Sequence, residues 1–175
     1  SSPATAAAPA TKPKVSAPTS RTVIAAQAAK DEDNGEELKE IFLDEAREVI
    51  QTGQGAIRDL GADPGNLGLQ TTLRRAFHTL KGSSRMVGYA EFGEAAWAME
   101  QMLNSWLAEQ KPVEQDLLSL SSQAMDAFQK WVEDISRGTD TVWSAAPFRR
   151  SADGQRIEHA YIELELPQEV RTRPA

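Results

Sequence analysis

The chain has 175 residues and a formal charge of -7 with a pI near 4.9, so it is an acidic protein of ordinary domain size. An acidic chain is a poor bulk electrostatic partner for nucleic acid, and the lack of Cys excludes disulfides and thiolate metal sites. Two histidines, His78 and His159, are too few for a protein-built transition-metal site. No apolar run reaches the roughly 18 residues of a membrane span. We therefore expect a soluble domain with no resident metal or cofactor.

Residues 1–35 have the composition of a disordered linker. The first 30 residues contain ten Ala and four Pro, no acidic residue and few large apolar side chains. Such a stretch cannot offset the entropy cost of ordering it. No compact apolar segment follows its lysines, which argues against a secretory signal. The chain opens at Ser1 into this low-complexity sequence, and we interpret it as a piece of a longer protein.

From Glu36 onward, apolar residues recur every three or four positions, which is the spacing of amphipathic helices. Helix-breaking residues interrupt this spacing at 61–66, Gly88, Pro112 and Gly138. The pattern predicts four helices, at about 36–60, 69–87, 91–109 and 114–136. Four amphipathic helices with short connections predict an all-α fold, an antiparallel four-helix bundle over residues 36–137.

Residues 138–175 carry weaker signals. Residues 139–156 have the composition of a loop or linker, and residues 157–166 partly alternate apolar and polar side chains, as a short strand does. A lone strand has no partner in an all-helical domain. We therefore expect a poorly ordered C-terminal tail, with Trp143 or Phe148 resting on the bundle as the packed alternative.

The second predicted helix carries the most informative polar residues. At 100° per residue, His78 lies about 140° from the centre of the apolar face, so it is predicted to face solvent. Gly82 follows one turn later, and a glycine inside a helix costs about 1 kcal/mol against Ala. Its lack of a side chain would let a partner or a phosphoryl group approach the imidazole. Lys81 adds a mobile ammonium suited to an incoming phosphate.

The charge of this region is reversed relative to the whole chain. Residues 64–90 contain four basic residues and no acidic one, which would favour a phosphorylated partner.

Other interpretations of these residues remain open. His78 could be an ordinary surface histidine, the basic residues could be a solvated face or could pair with acidic neighbouring helices, and Gly82 could allow close helix packing. Four charges in an acidic domain make a thin footprint for nucleic acid.

The segment His78-Thr79-Leu80-Lys81-Gly82-Ser83-Ser84, within RRAFHTLKGSSRMVGY, closely resembles the signature of histidine phosphotransfer (HPt) domains. The first helix, IFLDEAREVI, resembles the opening helix of HPt domains in chemotaxis-type histidine kinases, and Gly88, Tyr89 and the segment Trp97-Ala98-Met99-Glu100 extend the likeness. The resemblance covers roughly residues 36–136. The low-complexity flanks resemble linkers of large chemosensory hybrid kinases, including those that control type IV pilus motility.

The resemblance implies a role for four residues. His78 would accept a phosphoryl group on Nε2, Lys81 would lie beside the phosphate, and Gly82 would be the permissive glycine. Glu100 would hydrogen-bond the other imidazole nitrogen, which fixes the tautomer and leaves Nε2 free to attack. Some chemotaxis-type members have a second histidine where this chain has Trp97, so rate, pH dependence or partner choice can differ.

The expected function is phosphotransfer without kinase activity of its own. The sequence contains no glycine-rich phosphate loop and no acidic cluster of a receiver domain. A histidine kinase catalytic domain or a receiver aspartyl phosphate would supply phosphate, and a response-regulator receiver aspartate would accept it. ATP and Mg²⁺ would belong to those partners. We expect a cytoplasmic, monomeric fragment of a kinase, with Leu69, Met86 or Tyr89 helping to dock the receiver. The alternative is a helical interaction module that is not phosphorylated.

Overall fold

The structure is a computed structural model that describes residues 34–174. Nearly all of the predicted linker therefore lies outside the described residues. Four long helices form the bundle: α1 Gly35–Ala62, α2 Leu67–Met86, α3 Ala90–Glu109 and α4 Gln115–Arg137. Helix α2 packs against α1 and α3, and α1 also packs against α4. No strand occurs between residues 34 and 174, and the predicted all-α bundle is confirmed.

An aromatic cluster occupies the centre of the bundle. Phe42 of α1, Phe92 of α3 and Phe128 of α4 are all buried. The ring of Phe92 meets that of Phe42 edge-on with centroids 5.5 Å apart, and it lies 4.8 Å from that of Phe128. Burying one such side chain stabilises a fold by about 1.5–3 kcal/mol. The cluster therefore holds α3 firmly against the helices on either side of the core.

Local sequence explains how α2 begins, how it ends and how close α3 lies. The Asn66 side chain accepts a hydrogen bond from the backbone N–H of Leu69 at 3.0 Å and caps the start of α2. Gly88, with φ of 89°, reverses the chain after α2. A Cβ atom at Gly93 would lie 2.8 Å from Cγ of Arg85, so glycine is needed there for α3 to approach α2.

The C-terminal segment differs from the predicted poorly ordered tail. It folds into a 3-10 turn Asp140–Val142, α5 Ala146–Asp153, a π-helical turn Gly154–Glu158 and α6 Gln168–Arg171. Trp143 and Phe148 are both buried, and their rings stack on those of Trp131 and Phe128 at centroid distances of 5.2 Å and 5.0 Å. The prediction of poor order was wrong because scattered aromatic and small residues pack this segment against the bundle. Their spacing does not follow a helical repeat, so the sequence pattern did not reveal the packing.

The strand suggested for residues 157–166 does not form. A side chain of α4 binds this stretch instead, since the amide of Gln123 donates to the Tyr161 hydroxyl at 2.7 Å and accepts the Leu164 N–H at 3.1 Å. Helix α5 lies mainly against α3. Helix α3 therefore packs against both α2 and α5. Within residues 34–174, no helix is long and apolar enough to cross a membrane.

Candidate functional site

His78 lies in the middle of α2 with its side chain 59% exposed, on the face opposite the core. Its Nδ1 atom is 2.8 Å from Oε1 of Glu100, which reaches across from α3. Its Nε2 atom has no hydrogen-bond partner among residues 34–174. One nitrogen of the ring is therefore fixed by the protein and the other is open to solvent.

Glu100 is the buried centre of the site, with a side chain only 7% exposed. Its Oε2 atom lies 2.7 Å from Nζ of Lys81, so its two oxygens contact two different residues of α2. Burial by itself would raise the pKa of Glu100, but the hydrogen bonds and charges of Lys81 and His78 outweigh burial and hold the pKa below its usual value. Glu100 is thus an ionised carboxylate at neutral pH.

The ionisation of Glu100 determines the tautomer of His78. A carboxylate can only accept hydrogen bonds, so the contact at Nδ1 requires a proton on that nitrogen. In the neutral imidazole, Nε2 then carries the lone pair. The geometry therefore presents a nucleophilic nitrogen to solvent and places a negative charge behind the ring.

Gly82 lies beside this open nitrogen on the exposed face of α2. A Cβ atom built at Gly82 would meet no atom within 4 Å. The interpretation of Gly82 as a helix-packing residue is therefore wrong, and Gly93 fills that role between α2 and α3. The space at Gly82 stays open to an approaching molecule.

The four basic residues of α2 fall into two pairs. Lys81 pairs with Glu100, and Arg85 lies 3.3 Å from Glu94 of α3, so the ion-pair interpretation holds for these two. Arg74 and Arg75 form no hydrogen bond or ion pair with any residue from 34 to 174. The uncompensated positive charge of α2 therefore lies one turn before His78.

The apolar residues proposed for docking are only partly exposed. Met86 is 39% exposed, whereas Leu69 and Tyr89 pack against the core. Trp97, one turn before Glu100 on α3, is 40% exposed. No group of three or more His, Asp or Glu side chains between residues 34 and 174 is arranged to hold a metal.

Sequence reasoning missed one contact of the site. It allowed the basic residues of α2 to pair with acidic residues of neighbouring helices, but it did not name Glu100, 19 positions later in the chain, as the partner of Lys81. The signal was available, because Lys81 lies on the edge of α2 that turns from the exposed face toward α3. In the structure, His78 and Lys81 each contact Glu100, and the space beside Gly82 is open.

Comparisons with known proteins place this site in a family. The family model described as Hpt domain matches residues 37–137. Proteins named chemotaxis protein CheA are similar: that of Bacillus subtilis is 32% identical over 58% of this chain and 15% of its own length. The protein of Listeria monocytogenes is 27% identical over 79% of this chain and 22% of its own length. The protein of Halobacterium salinarum is 26% identical over 66% of this chain and 16% of its own length.

The chain thus spans less than a quarter of the length of these relatives. No solved structure gives a significant match. The family model covers more than half of the chain and includes the helices that carry His78, Lys81 and Glu100. The chain belongs to the Hpt domain family.

Proposed function

We propose that this chain is a histidine phosphotransfer module of chemosensory two-component signalling. His78 takes a phosphoryl group on Nε2 and passes it to an aspartate of a receiver domain. The observation that carries the proposal is the 2.8 Å contact between His78 Nδ1 and the buried Glu100, combined with an exposed imidazole. An acceptor at Nδ1 keeps the proton on that nitrogen and leaves Nε2 with the lone pair that a nucleophile needs.

Phosphoryl acceptance needs no proton transfer to the protein. The Nε2 lone pair of His78 attacks the γ-phosphorus of ATP held by a kinase domain, the N–P bond forms, and the P–O bond to ADP breaks with its electrons on the ADP oxygen. The proton on Nδ1 stays in place, so the ring gains positive charge. Glu100 stabilises that charge from 2.8 Å away.

Transfer onward reverses these changes. A receiver carboxylate oxygen attacks phosphorus, a P–O bond forms, and the N–P bond breaks with its electrons returning to Nε2. Lys81 is suited to neutralise phosphate charge during both steps, because its ammonium carries three donors and uses one contact for Glu100. Catalysis by this chain consists of positioning and charge neutralisation.

The partners are part of the proposal. This chain offers the phosphate carrier, and a histidine kinase catalytic domain and a receiver domain supply ATP, Mg²⁺ and the acceptor. The relatives are named for chemotaxis, which favours a cytoplasmic chemosensory pathway. The link to type IV pilus motility stays a prediction, since none of the relatives above is named for it.

The alternative is a bundle that binds partners without being phosphorylated. A module that is not phosphorylated would not need a buried Glu100 whose two oxygens contact His78 and Lys81. A buried carboxylate is costly unless it is fully paired. The retained geometry therefore favours phosphotransfer.

The test is phosphate uptake by the full chain. The chain is incubated with radiolabelled ATP and a panel of chemotaxis-type kinase cores, and separately with labelled phosphoramidate, a small-molecule phosphoryl donor. We expect acid-labile, alkali-stable label on the wild type and none on His78→Gln. His159→Gln is the matched control and should label like the wild type. Equal label on His78→Gln, or no label from any donor on a folded wild type, would contradict the proposal.

A further inference from the structure

The face of α2 around His78 carries positive charges that are not paired with carboxylates of the site. Lys81 is held by Glu100 at 2.7 Å and Arg85 by Glu94 at 3.3 Å. Arg74 and Arg75 have no such partner within the described part of the chain. Residues 64–90 contain no acidic side chain that could compensate them locally.

The two unpaired arginines lie on either side of His78. At 100° per residue, Arg74 is about 40° from the bearing of His78 toward α3, and Arg75 is about 60° from it toward α1. Both precede His78 by one helical turn. A molecule that approaches Nε2 from solvent therefore meets a guanidinium on each flank.

Arg75 also borders an open groove between α1 and α2. The groove has a volume of about 350 Å³ and is lined by Val49, Thr52, Thr72 and Thr79, with Glu48 on its α1 side. Arg75 forms no ion pair with Glu48. The guanidinium of Arg75 is therefore available to a group that enters from outside.

The chemistry of the acceptor identifies that group. A phosphoryl acceptor aspartate and the one or two further carboxylates that bind its Mg²⁺ bring several acidic side chains together at the acceptor site. Guanidinium groups bind carboxylates through two parallel hydrogen bonds. Opposite charges across an interface raise the encounter rate and fix the register.

We propose that Arg74 and Arg75 recognise carboxylates on the rim of the receiver's acceptor site and set the affinity for the receiver. This inference rests on the proposed function and deepens it by assigning partner recognition to two residues outside the His78, Lys81 and Glu100 contacts. The arginines act on docking and leave the intrinsic reactivity of His78 unchanged.

The experiment separates loading of His78 from transfer. The full chain is loaded with phosphoramidate, which needs no protein docking. Transfer is then followed to the receiver that takes phosphate fastest from the wild type in a panel of purified receiver domains. The variants are Arg74→Glu, Arg75→Glu and the double variant, and Arg150→Glu is the matched control. Arg150 is an exposed arginine of α5, the helix that packs mainly on α3.

We expect all variants to load to the same final extent as the wild type, although reversing the charge beside His78 slows the approach of the anionic phosphoramidate. The double variant should lower kcat/KM for the receiver by about tenfold or more through a higher KM, with kcat within about twofold and a weaker salt dependence. Arg150→Glu should behave like the wild type. An unchanged kcat/KM and salt dependence, or a loss in kcat alone, would overturn the inference and leave the proposed function standing. Failure of the loaded wild type to transfer to any receiver would overturn both.

Discussion

The domain contains two buried carboxylates that are each bound by several donors, and they do different work. Glu100 of α3 binds His78 and Lys81, both from α2. Asp134 of α4 accepts from the Trp143 indole at 2.6 Å and from Arg173 at 2.6 Å. Both have a pKa below the usual value, because the bonds from their donors outweigh the effect of burial, which alone would raise it.

The donors explain the difference between the two clusters. At Glu100, one donor is an imidazole that keeps its second nitrogen exposed to solvent. At Asp134, the donors are an indole, an arginine and the Thr139 hydroxyl, all of which lie in the chain that follows α4. The same arrangement therefore holds an exposed imidazole in one place, which the proposed function uses as a nucleophile, and fastens the C-terminal segment to the bundle in the other.

The largest effect is expected when the C-terminal cluster is broken by Asp134→Asn. An amide places an N–H₂ group where an oxygen now accepts, so Trp143 or Arg173 would face another donor. We expect the free energy of unfolding to fall by about 2–4 kcal/mol, measured by urea denaturation. Phosphate uptake by the folded fraction should be unchanged.

Asp126→Asn is the matched control for this change. Asp126 is an exposed residue of the same helix and bonds only the side chain of Gln54. Its substitution should change stability by less than about 0.5 kcal/mol. If Asp134→Asn were as mild as the control, Asp134 would not hold the C-terminal segment.

The opposite pattern is expected for Glu100→Gln. The amide can still accept a bond from His78, but it removes the negative charge that stabilises the ring and repels the Lys81 ammonium. We expect phosphate uptake from phosphoramidate to slow by about tenfold to a hundredfold. The loss of stability should be smaller than in Asp134→Asn, because the exposed His78 can bond water instead, whereas the Trp143 indole is buried.

Glu94→Gln controls for a lost charge on the same helix. Glu94 pairs with Arg85 and lies near Arg149 at the surface, so its variant should take up phosphate at the wild-type rate. A Glu100→Gln variant that also reacts at that rate would show that the carboxylate does not prepare His78, and the contrast between the two clusters would disappear.

A smaller effect is expected from Gly82→Leu, which tests access to the open nitrogen. A Cβ atom at this position meets no atom within 4 Å, and leucine favours a helix over glycine by about 1 kcal/mol. We therefore expect equal or greater stability with phosphotransfer to the receiver slowed by about tenfold. Gly61→Leu changes another glycine with open space around it, in α1. This variant should gain stability and transfer phosphate at the wild-type rate. Normal transfer by Gly82→Leu would remove the steric argument.

The bundle and the exposed position of His78 could be predicted from sequence, because helical periodicity is a local signal. Phe42, Phe92 and Phe128 fall on apolar faces that the spacing alone defines. The helical spacing of 100° per residue likewise placed His78 away from those apolar faces, and its side chain is exposed in the structure. The partnership of Glu100 with His78 came only from family resemblance, since it joins residues 22 positions apart on two helices.

The C-terminal cluster could not be predicted because all of its signals are non-local. Asp134 is an acidic residue near the end of an amphipathic helix, where a solvated charge is the ordinary outcome. Its burial depends on Arg173, which lies 39 positions later, and on a chain path that includes a π-helical turn.

The smallest expected effect is a difference in acid sensitivity between the two clusters and their variants. A carboxyl whose pKa is lowered by folding adds stability above its unfolded value and loses that contribution as pH falls through the folded value. For Glu100 and Asp134, whose ordinary values are 4.5 and 3.8, the loss must therefore occur below about pH 4.5. We expect urea midpoints measured from about pH 6 to about pH 3 to fall less steeply for Glu100→Gln and Asp134→Asn than for the wild type. Parallel curves for all three proteins would mean that the donors do not lower the pKa of either carboxyl on folding, and the two clusters would then not differ in their response to acid.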